Sequence, residues 1–403
     1  MNDKQALSDL KILEYSHLAS GPFCAKVMAD LGAEVVKIEE PGKGDEARNH
    51  GPFPEDRPHP EKSALFLHLN TNKLGITLNL RHPLGKKLFL QLVEQADIFI
   101  ENNPPKLMQE LEFDYEHLMK INPRLIMTSI TSFGQTGPYR DYKTTELISF
   151  HMGGVGYETP INQVTDPERE PPLKAAGHQA NLLAGWTGAT ATMAAVFARQ
   201  TTGRGQHIDI SEQDAVANMI RPNFSRYSYA HEIANREKRG LPWILPCKGG
   251  HISFSPQGDR FWRGLMEMLG NPEWARNEKF KDFTTRREHV DEMEGHIIEW
   301  TMQRTKEEIF EKAQAHHIPC FPVNSMSEVF RAEQFKAREF FVEIDHPVAG
   351  KFQFPGAPYK LSTSPWQIRR PAPLLGEHNE EIFCKRLGYK REELVKLRMN
   401  GVI

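Results

Sequence analysis

Leu10-Lys11-Ile12-Leu13-Glu14-Tyr15 is a strand-length apolar run, residues 21–31 form a helix-length segment stopped by Gly32, and Glu34-Val35-Val36-Lys37-Ile38 is a second strand-length run. Strand, helix and strand at this spacing form the unit of a parallel sheet covered by helices. Gly32 suits the left-handed residue that ends many helices. Moving outward, residues 76–80, 83–95, 98–100, 115–121 and 125–129 continue as strand, helix, strand, helix and strand, with Pro83 in a first helical turn. The reading is an α/β, Rossmann-like fold. No Gly-x-Gly-x-x-Gly follows the first strand, so a nicotinamide cofactor is not expected.

A chain of 403 residues exceeds the ~250–300 at which a single core stops growing, so two domains are expected. Residues 159–173 are polar and proline-rich and read as a loop. Residues 182–199 are rich in Gly, Ala and Thr and carry no charge before Arg199, which predicts a helix buried on every face. From about residue 225 the pattern turns to short strands and turns, with Gly249 to Phe254 as a strand and helices over 259–269 and 290–303. The expected division is a large domain of residues 1–225 and 330–403 and a smaller α/β domain of residues 226–329.

A formal net charge of −3, from 50 basic and 53 acidic residues, excludes a broad positive surface for nucleic acid or anionic membrane. No run reaches the ~18–20 apolar residues of a membrane span, and Met1-Asn2-Asp3-Lys4-Gln5 opens no signal peptide, so a cytoplasmic location is expected. Cys24, Cys247, Cys320 and Cys384 are widely spaced without a Cys-x-x-Cys pair, and neither a metal site nor a disulfide scaffold is expected.

Several short motifs occur in a fixed order: Ser20-Gly21-Pro22, then Asp30-Leu31-Gly32-Ala33-Glu34, then Pro41-Gly42-Lys43-Gly44-Asp45. Glu101-Asn102, Gly134-Gln135-Thr136-Gly137-Pro138, Thr202-Gly203-Arg204-Gly205-Gln206, Gln213-Asp214-Ala215 and Pro373-Leu374-Leu375-Gly376-Glu377-His378 follow. In that order they resemble the family III coenzyme A transferases, the CaiB/BaiF type that includes formyl-CoA and carnitine-CoA transferases, from about residue 9 to the C-terminus. The resemblance implies a large domain that holds coenzyme A, an interlocked dimer in which each chain threads the other, and no permanently bound cofactor. It also implies that residues 316–323 return the chain to the large domain.

The family resemblance places coenzyme A against His17, Leu18, Ala19 and Ser20 after the first strand, Asn72, Lys73 and Asn102 at later strand ends, and Lys143. Ligands of open α/β sheets favour the carboxyl ends of strands, and an ammonium is a suitable phosphate partner. Where the family carries arginines, this chain has Glu40-Pro41 and Glu110, with Lys43 and Lys106 nearby as substitutes. Glu146 matches a family glutamate beside the reacting carboxylates; as a residue, it also suits the start of a helix.

Asn181, in Gly177-His178-Gln179-Ala180-Asn181, stands where the family has a nucleophilic aspartate that attacks the donor thioester. An amide carries no negative charge and cannot take that role. As a structural residue, Asn181 suits the N-cap of the following helix. His178 reads as a hydrogen-bonding loop residue. The family's racemase relatives carry a Gly-His-Asp segment where this chain has Lys143-Thr144-Thr145-Glu146, which disfavours racemization. The expected function is therefore coenzyme A transfer between an acyl-CoA, such as succinyl-CoA, and a free carboxylic acid. The favoured form is the non-nucleophilic subunit of a heteromer, beside a homologous aspartate-bearing subunit, with an aryl-succinate transferase as one setting. The alternatives are a homodimeric acyl-CoA enzyme of racemase or isomerase type and a non-enzymatic acyl-CoA binder. Loops 149–173 and 223–250 are the expected seat of acceptor choice.

Overall fold

The computed structural model describes residues 5–161, 163–234, 236–237, 243–255 and 258–403. Backbone contacts divide the chain into one unit of Met1–Val155, Lys174–Pro222 and Ala337–Ile403 and another of Gly156–Leu173 and Asn223–Lys336. The loop read at 159–173 thus packs with the second unit, and that unit continues to Lys336 instead of ending at 329.

The first unit is built on a parallel sheet of β1 (Lys11–Tyr15), β2 (Glu34–Glu39), β3 (Lys73–Thr77), β4 (Ile98–Glu101), β5 (Ile126–Thr131) and β6 (His207–Ser211). The strand order is β3-β2-β1-β4-β5-β6. It reverses direction between β1 and β4, and that reversal opens a crevice at the carboxyl ends of those two strands. Successive residues of a strand face opposite sides, so both sides of this sheet carry core. Leu13, Val36, Ile76, Phe99 and Met127 pack on one side. Ile12, Val35, Ile98, Ile100 and Ile126 pack on the other.

One strand falls elsewhere than its sequence pattern indicated. β3 runs Lys73–Thr77, not 76–80, because the Lys73 ammonium is neutralised inside the fold by an ion pair of 2.8 Å with Glu14, which lets a lysine begin a buried strand. The free edge of β3 is covered by the C-terminal segment. Gly75 N donates to His378 Nδ1 at 3.1 Å and Thr77 N to Asn379 Oδ1 at 2.8 Å. The edge hydrogen-bonding groups are thereby withdrawn from other chains.

Helix α1 (Ser20–Asp30) packs against a helix from the middle of the chain, Gln179–Thr202, which is fed by the shorter helix Glu146–Met152. We label these last two α3 and α2 respectively. A Cβ at Gly185 would lie 2.7 Å from Ser20 O, and one at Gly188 would lie 2.9 Å from Ile130 Cδ1, so glycine sets how closely α3 approaches α1 and the sheet. The expectation of burial on every face is not met: Ala180, Ala184, Gly188, Thr192 and Ala195 form a buried stripe, while Phe197 is 73% exposed. The buried stripe of α3 meets α1 and β5, and its N-terminal turns also meet the helices that carry Glu146 and Glu212.

In the second unit, β7 (Trp243–Cys247), β8 (Gly250–Phe254) and β9 (Cys320–Pro322) form an antiparallel sheet. Helices Asp259–Met268, Val290–Thr301 and Lys306–Ala315 cover it around Leu245, Ile252, Leu265, Ile297 and Ile309. Residues 316–323, expected to return the chain to the first unit, instead supply β9. The return comes at Ala337. No helix among the described residues is long and apolar enough to cross a membrane.

Candidate active site

The loop from β1 to α1 is fixed across the crevice by Asn102 at the end of β4. His17 N donates to Asn102 Oδ1 at 2.8 Å, and Asn102 Nδ2 donates to His17 O at 2.8 Å and to Ser20 Oγ at 3.2 Å. Leu18 adopts a left-handed φ of 59°, and its N–H donates to Asp45 Oδ1 at 2.9 Å. Gly21 lets α1 start directly over the loop, since a Cβ there would sit 2.4 Å from Ser16 Cβ. His17, Leu18, Ala19, Ser20 and Asn102 are thus brought together at the β1 and β4 carboxyl ends. Burial holds the His17 imidazole below its ordinary pKa, opposed by the nearby Asp45 carboxylate.

Asn72 and Lys73 lie at the amino end of β3, not at a carboxyl strand end. Asn72 Nδ2 donates to Asp30 Oδ1 at 2.7 Å and Gln367 O at 2.8 Å. Lys73 Nζ has three partners, Glu14 Oε2 at 2.8 Å, Pro22 O at 2.8 Å and Asn70 Oδ1 at 2.9 Å, so its donors are all engaged. Burial lowers the Lys73 pKa to about 8. Lys37 completes the network with Glu14 at 2.9 Å and Asp45 at 2.7 Å. These residues brace the floor of the β1 loop.

Lys143 is exposed in the loop preceding α2 and forms no ion pair among the described residues. Lys43 is exposed and bonded to Glu40 at 2.7 Å, and Lys106 is exposed at the start of helix Pro105–Leu111.

The second part of the site forms where α2, α3 and the helix Glu212–Ala217, here α4, converge. Glu146 opens α2, and its carboxylate receives the first backbone donors of α3: Ala180 N to Oε1 and Asn181 N to Oε2, both at 3.0 Å. Asn181 is therefore not the N-cap. That position is His178, and the capping acceptor comes from another helix. Lys174 Nζ lies 3.4 Å from Glu146 Oε1.

The Asn181 side chain bridges two groups. Nδ2 donates to Glu212 Oε1 at 2.9 Å, and Oδ1 lies 3.3 Å from His178 Nδ1. Glu212 Oε2 accepts from Ser149 Oγ at 3.0 Å and from Ser132 Oγ at 3.4 Å, and the nearby Ser20 hydroxyl favours the ionised form of the same carboxylate. Ser20 thereby joins the β1–β4 crevice to the Asn181 cluster. Glu212 is 5% exposed and has no cationic partner among the described residues. Burial pushes its pKa upward and the Glu146 charge adds to that, while the Asn181, Ser149 and Ser20 donors pull it down.

Glu212 was not among the residues singled out from sequence. It lies 31 positions from Asn181, and nothing in the linear pattern joins them. The available signal was its place directly after β6, at a strand carboxyl end. Glu101, at the end of β4, is likewise buried without a cation, and burial raises its pKa to about 7. Elsewhere, a cavity of about 430 Å³ lined by Lys11, Glu34, Gln95 and Arg386 opens at the amino ends of β1 and β2, remote from this chemistry. Among the described residues no cluster of His, Cys, Asp or Glu is arranged to hold a metal ion.

Residues 7–379 match the model of CoA-transferase family III. A formyl-CoA:oxalate CoA-transferase of Streptomyces avermitilis is 33% identical over 424 residues, spanning 99% of this chain and 100% of that one. One from Rhodopseudomonas palustris is 32% identical over 427 residues, spanning 99% and 97%. A CAIB/BAIF family protein of Brucella suis has a solved structure that matches with a TM-score of 0.84 at 28% identity, covering 95% of this chain and 99% of that chain.

Proposed function

The chain belongs to CoA-transferase family III, and we propose that it moves coenzyme A from an acyl-CoA to a free carboxylic acid at the cluster of Asn181 and Glu212. The observation that supports this most is the position of Ser20, whose hydroxyl accepts from Asn102 in the crevice and is close enough to Glu212 to favour its ionised form. A coenzyme A lying along His17, Leu18, Ala19, Ser20 and Asn102 would present its thioester beside Glu212. Lys143, exposed in the loop preceding α2, is available to a phosphate. Coenzyme A enters and leaves as substrate, and no permanently bound cofactor takes part.

Asn181 supports a second reading, in which the chain is one subunit of a heteromer and a homologous partner supplies an aspartate. The interlocked dimer fits either form. The helix Arg221–Ala230 has no buried residue, and Phe224 and Tyr229 on it are 51% and 91% exposed, so a further chain is needed to cover them.

The test is to incubate the purified chain with formyl-CoA or succinyl-CoA and a panel of free acids that includes oxalate, and to separate the CoA thioesters formed. A new thioester matched by an equal amount of released donor acid is the expected result. Transfer that appears only after addition of a second, copurifying family chain supports the heteromer. Hydrolysis to free coenzyme A, with no new thioester, contradicts transfer.

A further inference from the structure

The buried carboxylates of this chain fall into two groups. Glu14 is paired with Lys37 and Lys73, Asp45 with Lys37, Glu39 with Arg48, and Asp30 with Lys26. Glu212 and Glu101 have no such cation among the described residues. An ionised carboxylate held in the interior by neutral donors alone is costly, and such groups concentrate where chemistry requires them. Of the two, Glu212 stands against the amide of Asn181, the position where a reacting carboxylate was expected and is missing.

We propose that Glu212 is the nucleophile of this chain, its carboxylate having taken the place of the one absent at position 181. The proposal rests on the coenzyme A transfer reading above and names the group that carries it.

Each step balances in atoms and charge. A Glu212 oxygen attacks the thioester carbonyl of the acyl-CoA, the C–S bond breaks, and an acyl-glutamyl anhydride and coenzyme A thiolate form. The thiolate attacks the Glu212 side-chain carbonyl, expelling the donor acid as its carboxylate and leaving a glutamyl-CoA thioester. The acceptor carboxylate then attacks that thioester, giving a second anhydride and thiolate. The thiolate attacks the acceptor's carbonyl, releasing the new acyl-CoA and restoring the Glu212 carboxylate. No external oxidant, metal or proton is consumed.

The neighbours suit these steps. Asn181 Nδ2, Ser149 Oγ and Ser132 Oγ aim donors at the carboxylate oxygens, at 2.9, 3.0 and 3.4 Å, where negative charge develops on oxygen as the thiolate and then the acceptor attack the Glu212 carbonyl, and where it returns when the last step frees the carboxylate. Asn181 is partly exposed, so the cluster is open on that side. Asn181 also fits this role better than aspartate would, because a second carboxylate at 2.9 Å would oppose the ionisation of the first. Glu146, by contrast, has both oxygens committed to the backbone of α3.

The experiment uses the purified full chain with formyl-CoA or succinyl-CoA, followed by hydroxylamine and peptide mass spectrometry. The expected result is a hydroxamate on Glu212 that forms only when acyl-CoA is present. Glu212→Gln should lose this label and reduce transfer by about 10³-fold or more. The double variant Asn181→Asp/Glu212→Gln controls for folding: it should regain transfer, with the label moved to position 181. If wild type transfers coenzyme A but the label falls on another residue, or Glu212→Gln retains transfer within tenfold, Glu212 is not the nucleophile and the transferase reading stands. If wild type neither transfers nor labels while the double variant does both, the proposal also fails, and the chain is a transferase scaffold lacking its carboxylate. If neither protein transfers with either thioester, the proposal and the self-sufficient transferase reading fall together.

Discussion

The side-chain nitrogen of Asn181 stands 2.9 Å from Oε1 of Glu212, linking the third residue of a long helix to the first residue after a sheet strand. Glu212 is the one ionisable group of the pair; burial opposes its charged form, and the amide supplies a donor that favours it. Converting the amide to an acid removes that donor and adds a competing charge.

Asn181→Asp alone should therefore destabilise the protein in a pH-dependent way. Two adjacent carboxylates share a proton and titrate as a pair, with the upper pKa raised. A group whose folded pKa is raised contributes stability that is present at low pH and is lost as pH rises through that value. Denaturant unfolding should show the variant close to wild type near pH 5 and weaker by about 1–3 kcal/mol near pH 8. Adding Glu212→Gln should remove the difference. A variant equally stable at both pH values would mean that the two side chains do not compete.

Glu101 offers an independent electrostatic test. Burial raises its pKa from 4.5 to about 7, with Asp209 adding to the rise and Asn103, whose N–H donates at 2.7 Å, opposing it. The stability this group contributes is full below about pH 4.5 and is lost as pH rises toward about 7. Relative to wild type, Glu101→Gln should gain on the order of 3 kcal/mol in unfolding free energy between pH 4.5 and pH 8. A pH-independent difference would contradict the buried, unpaired state of this carboxylate.

Gly185→Ala tests the packing that aims α3. The new Cβ would meet Ser20 O at 2.7 Å, against backbone at the very loop that bonds Asn102. The expected cost is about 1–3 kcal/mol of stability, read from the denaturant midpoint. Transfer activity should fall further than that of a variant at exposed Thr190, because displacement of α3 moves Asn181 as well.

The parallel sheet was legible because strand-length apolar runs alternate with helix-length segments, and residues 115–121 match a helix end to end. Lys73 was not placed correctly, because a lysine at a polar Asn-Lys step reads as strand end unless its buried partner, Glu14, is known. The long helix was recognised but judged buried all round; Phe197 shows that small residues mark one close contact, not a fully enclosed helix. Asn181 was legible through its neighbours in sequence. Glu212 was not, since its importance arises only when α2, α3 and α4 converge. The domain division, read as residues 226–329 against the rest, was only partly readable, since residues 156–173 pack with the second unit although they are distant from it in sequence; residues 235 and 238–242 of the loop 223–250 lie outside the described residues.

Assembly can be checked without any substrate. If the chain forms the interlocked dimer proposed above, the helix Arg221–Ala230, which has no buried residue, is a candidate for cover by the partner, and such an interface buries well beyond the ~1,600 Å² of a standard one. Sedimentation should show a dimer that persists at nanomolar concentration. A monomer in reversible equilibrium at micromolar concentration would contradict interlocking.

The most direct measurement is a half-reaction: the purified chain is mixed with an equimolar acyl-CoA and no acceptor, then quenched at short times. The account predicts a burst of free donor acid, up to one equivalent per site, with coenzyme A retained on the protein and the burst absent in Glu212→Gln. Donor acid that appears only once an acceptor is added, or that is matched by free coenzyme A, would show that no carboxylate of this chain receives the coenzyme.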